Sequence, residues 1–302
     1  MNTLNNQPLV IDSFPYAGEE TILDIRLHEL ESVVTKFLII ESNRTQTGLE
    51  KPYYFEKQQD KFKEFAPKIV YVKLDNSRID VGEADWSQEF RVRQAIQNEG
   101  FHQLEMDGTI LMADSVLIIS DADEIPKKES VKDFIKSNER AVCLNHYFNS
   151  YYLNLYSRFR EPWGWYGSIL IRVGSLTNNI QNLRNIKDRI FHTGLEGEGW
   201  HFSNLLTNGF DGLYNKWKNN IEPHDKTCLQ DKEKLKEQFK KCLYEDNNFF
   251  FCDLPDKREI LLEKLDKNLL PDYVKKNEKK FKDLLLPTPE KKEMKEEQLN
   301  LL

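Results

Sequence analysis

The sequence predicts an α/β fold: a mixed, mostly parallel central sheet flanked by helices, with a helical C-terminal extension. Three observations predict it. Short apolar runs of strand length alternate with segments of helical period through the first half. Each run is followed by a polar or acidic loop, as at one edge of a parallel sheet. From Asp231 onward the chain becomes charged and helical in pattern.

Leu9 to Phe14 is the first apolar run, broken by Pro15-Tyr16-Ala17-Gly18. Leu23, Leu27, Leu30 and Val34 then recur on one helical face. Phe37-Leu38-Ile39-Ile40 is the second strand, ending in Glu41-Ser42, and Ile69 to Val72 is the third. Trp86 to Asn98 reads as a helix, and Val116-Leu117-Ile118-Ile119 as the fourth strand. Beyond Pro126, Val131 to Ser137 is predicted helical, with strands at Ala141 to Leu144 and Ile169 to Ile171. Between them lies an aromatic stretch ending in Trp163-Gly164-Trp165-Tyr166-Gly167. Lys232 to Leu243 and Arg258 to Lys267 read as helices. No Gly/Ser-rich linker marks a boundary. The organisation expected is a disordered 1–8, one domain over 9–285 and a charged tail over 286–302. Within the domain, 9–126 is a nucleotide-binding half, 127–230 an acceptor half and 231–285 a helical part.

At 302 residues, with 39% hydrophobic and 31% charged residues, the chain can bury a core without staples. A net charge of -7 argues against nucleic acid as a partner. It also means that an anionic substrate must meet a local cation, a metal or backbone amides. The cysteines at 143, 228, 242 and 252 form no C-x-x-C pair or zinc spacing. The polar start lacks a signal-peptide pattern, and no stretch reaches the ~18 apolar residues of a membrane span. A cytoplasmic protein without an integral membrane segment is expected.

The most informative segment is Ser120-Asp121-Ala122-Asp123-Glu124, delivered by a buried strand to its carboxyl end, where open α/β sheets bind ligands. In an extended chain Asp121 and Asp123 point the same way. Two carboxylates ~4 Å apart repel by about 4 kcal/mol at an effective dielectric of 20. Mn²⁺ or Mg²⁺ removes that cost, taking one or two carboxylates plus substrate phosphates and water. Transfer of a sugar from a nucleoside diphosphate suits such a site, because the leaving diphosphate gains charge that a metal stabilises. A phosphatase with Asp121 as nucleophile is the weaker alternative, since Glu124-Ile125-Pro126 follows and over a hundred residues precede. A non-catalytic glycan-binding module of the same fold is another.

Several segments, in order, resemble one family. Leu23-Asp24-Ile25-Arg26-Leu27-His28-Glu29-Leu30 is similar to its L-x-I-R-L-x-E-L helix. Glu41-Ser42-Asn43-Arg44-Thr45-Gln46-Thr47-Gly48 is similar to its V-E-S-N-R-T-x-T-G signature. Trp86, Glu89, Arg93, Ala95 and Ile96 match a W-x-x-E-x-x-x-R-x-A-I helix, and Ile118 to Pro126 an I-I-S-D-x-D-E-I-P segment. Gly199-Trp200-His201-Phe202-Ser203 matches G-W-H-F-S, and Leu270-Pro271-Asp272-Tyr273 a C-terminal segment. Together they resemble glycosyltransferase family 17, which includes bisecting β-1,4-N-acetylglucosaminyltransferases. The resemblance implies a GT-A type fold, a UDP-sugar donor (UDP-N-acetylglucosamine in the best-known members), inversion at the anomeric carbon, and a glycan or polysaccharide acceptor. The resemblance implies a membrane anchor in the family's eukaryotic enzymes; none is expected here, and a bacterial or viral polysaccharide enzyme is.

Site roles follow. Asp123 is the first metal ligand, the resemblance placing the ion on the last aspartate of D-x-D. Asp121 touches the ribose, or the ion through water. A late histidine on the metal is also implied by the fold, and His201 and His224 compete for it. At the same sheet edge, Glu41, Asn43 and Arg44 follow a strand, Arg44 facing donor phosphate or the loop simply capping its turn. Phe14 and Tyr16 follow another strand; Tyr16 either stacks on uracil or is a surface aromatic. Arg93 pairs with Glu89 one turn away or reaches the nucleotide. Inversion requires a general base. Glu198 is the candidate, ahead of Glu196, and Glu124 either joins the site or starts a helix. Trp163 to Gly167 form an acceptor platform or aromatic core.

Overall fold

The computed structural model describes residues 7–76, 86–158, 165–176, 179–186, 196–219, 229–246, 250 and 261–286. In chain order the elements are β1 (Val10–Pro15), α1 (Glu20–Leu30), β2 (Lys36–Ser42), α2 (Tyr54–Gln58), β3 (Ile69–Leu74), α3 (Ser87–Ala95), α4 (Phe101–Met106), β4 (Val116–Ile119), β5 (Glu124–Pro126) and α5 (Lys128–Lys136). There follow β6 (Ala141–Ser150), β7 (Leu155–Arg158), β8 (Trp165–Arg172), α6 (Ile180–Asn185), β9 (Glu196–Ser203), α7 (Gly209–Asn219), α8 (Lys232–Tyr244), β10 (Leu261–Lys264) and α9 (Asp272–Lys276). The chain divides into two compact units, Met1–His146 with Trp165–His201 and Tyr147–Gly164 with Phe202–Leu302. No helix among the described residues is long and apolar enough to cross a membrane.

In the first unit the strands run in the order β6-β8-β4-β1-β2-β3. The β4-β1-β2-β3 part is parallel, and β8 and β6 add antiparallel edges, so the mixed α/β sheet is as the sequence predicts. The four parallel strands are apolar because helices cover their faces: Ile11, Leu38, Ile40, Leu117 and Ile119 are all buried. β1 lies between β2 and β4, so consecutive strands diverge to either side of it, which opens a crevice at their carboxyl ends. Gly18, at φ 108°, turns the chain from β1 into α1, and a Cβ there would lie 2.9 Å from the Tyr54 ring. The α1 helix packs Leu23, Leu27 and Leu30 inward, whereas Val34 lies beyond its end.

Two elements differ from expectation. The helix read as ending at Asn98 continues through a wider turn, Ile96–Gly100, into α4. Gly100 permits this against the sheet, since a Cβ there would meet Leu38 Cδ2 at 2.7 Å. The helix expected over Arg258 to Lys267 is instead a strand at Leu261–Lys264, antiparallel to β7 with Leu262 opposite Ser157. A pairing partner distant in sequence overrides local propensity there; positions 258–260 lie outside the described residues.

The second unit has its own apolar cluster. Phe210, Leu213 and Trp217 of α7 meet Leu235, Phe239 and Leu243 of α8 and the buried Tyr151. Both triplets have helical spacing. Asp231 caps α8 by accepting from the Lys234 amide at 3.0 Å. Positions 1–6 and 287–302, at the two expected frayed ends, lie outside the described residues.

Candidate active site

The crevice beside β1 is bounded by the turn that follows β4. Its backbone is fixed from within by Arg26 of α1, which is fully buried. The guanidinium donates to Asp12 Oδ2 at 2.7 Å and Oδ1 at 2.6 Å, a bidentate pair that neutralises it. The same group donates to the carbonyls of Asp121, Ala122 and Glu124 at 2.9, 3.1 and 3.0 Å and to Ser120 Oγ at 2.6 Å. It also lies over the Phe14 ring, 4.2 Å from the centroid. A planar group with donors in a fixed fork thus sets the course of the turn residue by residue.

The turn's side chains are held by two further arginines. Arg93 of α3 donates to Asp121 Oδ1 at 3.0 Å and Oδ2 at 2.7 Å, and pairs with Glu89 one helical turn earlier. Arg184 of α6 donates to Asp121 Oδ2 at 2.9 Å, to Glu124 Oε2 at 2.8 Å and Oε1 at 3.2 Å, and to the Gly167 carbonyl at 2.8 Å. Glu124 is fully buried and also accepts from the Trp165 indole at 2.9 Å and from the Asp121 amide at 2.9 Å. Burial alone raises the Asp121 carboxyl, but Arg184 and Arg93 outweigh it and hold the group below its ordinary value. Burial likewise acts to lower Arg184, and its two carboxylate partners reverse the sign.

Asp123 is placed differently. Its carboxylate is 20% exposed and lies 3.6 Å from His201 Nε2. His201 stacks on Trp165 with centroids 4.3 Å apart, and β9 brings it there by pairing His201 with Glu124 of β5. An oxygen and a nitrogen at this separation can both reach one ion through bonds of about 2.1 Å. No cluster of three or more His, Cys, Asp or Glu side chains suited to a metal occurs among the described residues. Asp123 and His201 therefore fit as two protein ligands, leaving the other positions to phosphate and water, as Mg²⁺ and Mn²⁺ sites commonly do. Asp121 does not fit, because both its oxygens are on guanidinium groups.

A family model described as glycosyltransferase family 17 matches residues 2–207, more than half of the chain and all of this turn's surroundings. The chain belongs to glycosyltransferase family 17. The phosphatase alternative finds no support in this membership. The chain is similar to β-1,4-mannosyl-glycoprotein 4-β-N-acetylglucosaminyltransferase of Homo sapiens and of Rattus norvegicus, 33% identical over 124 residues in each case. The Mus musculus protein of the same name is 32% identical over the same length. The matched segment is 40% of this chain and 22% of each relative, so the chain spans about a fifth of the length of these relatives.

In this family 17 chain, several residues expected at the donor make contacts within the protein. Glu41 is fully buried: Oε1 accepts from the Tyr54 amide at 2.6 Å and Lys51 Nζ at 3.0 Å, and Oε2 from the Phe55 amide at 3.0 Å and Tyr71 Oη at 2.8 Å. It anchors the start of α2 and presents no oxygen to a ligand. Tyr16 is buried too, donating to Gln58 Oε1 at 2.5 Å, and burial raises its hydroxyl pKa. It neither stacks on a base nor lies at the surface. Phe14 is buried beneath Arg26. Asn43 ties its loop to the residues after β3, donating to Asp75 Oδ1 and accepting from the Asn76 amide at 2.9 Å each. Arg44 pairs with Glu50 at 3.2 Å and donates to the Gly48 carbonyl at 3.2 Å, both within its own loop.

The loop expected around the general-base candidates is a strand. Glu198 sits in β9, not in a loop, and its Oε2 accepts from the Asn145 amide at 3.2 Å. Side chains alternate along a strand, so Glu198 and His201, an odd step of three apart, project from opposite faces. Glu198 thus points away from the face that carries His201. Glu196 opens the same strand, and its side chain lies outside the described residues, as does His224. Trp163 and Gly164 are also outside them, while Trp165 packs on His201 and Glu124. Arg26 and Arg184 carry the site, yet the sequence marks neither: Arg26 sits in a recognised helix segment without an assigned role, and Arg184 has only ordinary polar neighbours. A lone arginine has no sequence signal until the fold shows which acids face it.

Proposed function

We propose that this glycosyltransferase moves a sugar, with N-acetylglucosamine the first candidate, from a UDP-sugar to a glycan or polysaccharide acceptor, inverting the anomeric centre on a GT-A type scaffold. Asp123 and His201 would hold Mn²⁺ or Mg²⁺. The charge balance around the turn carries the reading. Arg93 and Arg184 bring two positive charges, but Asp121, Glu124 and Glu89 already answer them, and Arg26 is cancelled by Asp12. Among the described residues each arginine of this cluster is already paired with carboxylates, and a divalent ion beside Asp123 would supply charge for a diphosphate.

The ion, when bound, stabilises the charge that develops on the departing diphosphate. The chain's own contribution is positional. Arg26 fixes the backbone of the turn, the Asp121–Arg184–Glu124 cluster fixes its side chains, and Asp123 is left facing the crevice. Trp165 holds His201 flat at the ligand edge through stacking while its indole N–H stays on Glu124. The names of the relatives support N-acetylglucosamine as the first donor to test.

The experiment is a panel of UDP-sugars assayed by UDP release with Mn²⁺, with Mg²⁺ and with EDTA. One donor is expected to turn over with metal and not with EDTA. Asp123→Ala is expected to lower the rate at least about a hundredfold, since a metal's charge stabilisation is worth several kcal/mol and about 1.4 kcal/mol is tenfold. Absence of nucleotide binding in the presence of either metal would sink the proposal.

A further inference from the structure

We infer that Gln46, in the loop after β2, reads the nucleoside of the donor: its side-chain oxygen accepts a hydrogen bond from the base N–H or from a ribose hydroxyl. The inference rests on the reading that a nucleoside diphosphate lies at the turn after β4, and it adds a residue that recognises the rest of the nucleotide. β1 separates β2 from β4, so the β2 loop stands two strand spacings, about 10 Å, across the crevice from that turn. A nucleoside joined to a diphosphate at the turn can span β1 to reach the loop.

Other polar side chains of this loop are spent on the protein. Ser42 Oγ accepts from the Arg44 amide at 3.0 Å and from Asn76 Nδ2 at 2.9 Å. Thr45 Oγ1 accepts from the Leu49 amide at 3.0 Å and lies 3.0 Å from Thr47 Oγ1. Gln46 differs. Its Nε2 donates to Glu89 Oε2 at 2.7 Å, and Glu89 is in turn paired with Arg93. An ion-paired carboxylate only accepts, so the nitrogen must face Glu89 and the oxygen is the end left over. That oxygen, Gln46 Oε1, is buried and has no hydrogen-bond partner, although the residue as a whole is half-buried. A buried acceptor without a donor costs free energy that a ligand's donor recovers. Arg93 continues the chain of contacts to Asp121 Oδ1 at 3.0 Å and Oδ2 at 2.7 Å. Gln46 is thereby tied to the turn on the far side of the crevice, which fixes where its acceptor stands. Uridine carries a matching donor in two places, N3–H of the base and the ribose hydroxyls.

The test is calorimetry with Mn²⁺ present, titrating UDP, N3-methyl-UDP, 2′-deoxy-UDP and 3′-deoxy-UDP into the wild-type chain and into Gln46→Ala. One analogue is expected to bind wild type at least about fivefold more weakly than UDP, the loss of one neutral hydrogen bond. In Gln46→Ala that analogue and UDP should bind within about twofold of each other. Which analogue shows the effect identifies the donor as base or ribose. Wild type binding all four within about twofold overturns the inference. So does a Gln46→Ala chain that keeps the wild-type ratios, because a merely structural glutamine would weaken every ligand alike. Should Gln46→Ala not fold, Gln46→Met, of similar volume, carries the same expectation. If wild type binds none of the nucleotides, the donor reading itself fails and the inference falls with it, an outcome distinct from uniform binding.

Discussion

Charges are buried around the 121–124 turn because each has an opposite partner within hydrogen-bond distance. Arg26 and Asp12 are both fully buried, and their pairing offsets a desolvation cost that neither could bear alone. Replacing Arg26 by Ala leaves Asp12 buried without its charge partner and releases three carbonyls of the turn. A loss of about 3–5 kcal/mol is expected, read as a lowered urea midpoint at unchanged slope. A shift under 1 kcal/mol would show that the pair is not what stabilises the turn. The Asp121 pairing has a pH signature. Its carboxyl is held below the ordinary 3.8, so the stabilisation is present above that value and lost as pH falls through the lowered one. The stability gap between wild type and Asp121→Asn is expected to be constant between about pH 5 and 8 and to shrink below about pH 4. A gap that stays flat into acid would count against the ion pair.

Among the elements, β9 was the hardest to read. Leu195-Glu196-Gly197-Glu198-Gly199 has the composition of a loop, yet Glu196–Ser203 is a strand paired with β5. Its glycines are there for space: a Cβ on Gly199 would lie 2.5 Å from His146 Nε2 and 2.6 Å from the Ile125 carbonyl. Gly167 of β8 crowds the other ring nitrogen, with a built Cβ 2.5 Å from His146 Nδ1. Gly199→Ala is therefore expected to push β9 off β5, costing about 1–3 kcal/mol and displacing His201 from Asp123. The checks are a thermal melt and the metal dependence of UDP binding, and an unchanged melt with unchanged binding would refute it. The parallel strands, by contrast, were legible because burial on both faces demands contiguous apolar residues. β10 was not, since Leu261–Lys264 alone carries no period and only its partner β7 makes it a strand.

For the whole molecule, acidity and ligand linkage make one joint prediction. The chain carries a net charge of -7, and in the proposed reading a nucleoside diphosphate approaching without a cation meets arginines already paired with carboxylates. UDP with Mn²⁺ is expected to stabilise the fold by about 2.7 kcal/mol at a hundredfold excess over Kd, and UDP with EDTA by much less. Differential scanning calorimetry distinguishes the two, and equal shifts with and without metal would argue for a cation-independent site.

The sequence by itself determined the α/β class, the parallel strands with their carboxyl-end loops, the family, and the segment that carries the acids. These are local properties: periodicity, apolar runs and contiguous motifs need no partner to be visible. The tertiary structure decided which charges these acids meet. Asp121, Asp123 and Glu124 are near-equivalent as letters, and only the approach of α3, α6 and β9 sets Asp121 and Glu124 against arginines and Asp123 3.6 Å from His201. A side chain's role in such a site is set by the charge it faces, and that charge comes from residues far away in the chain.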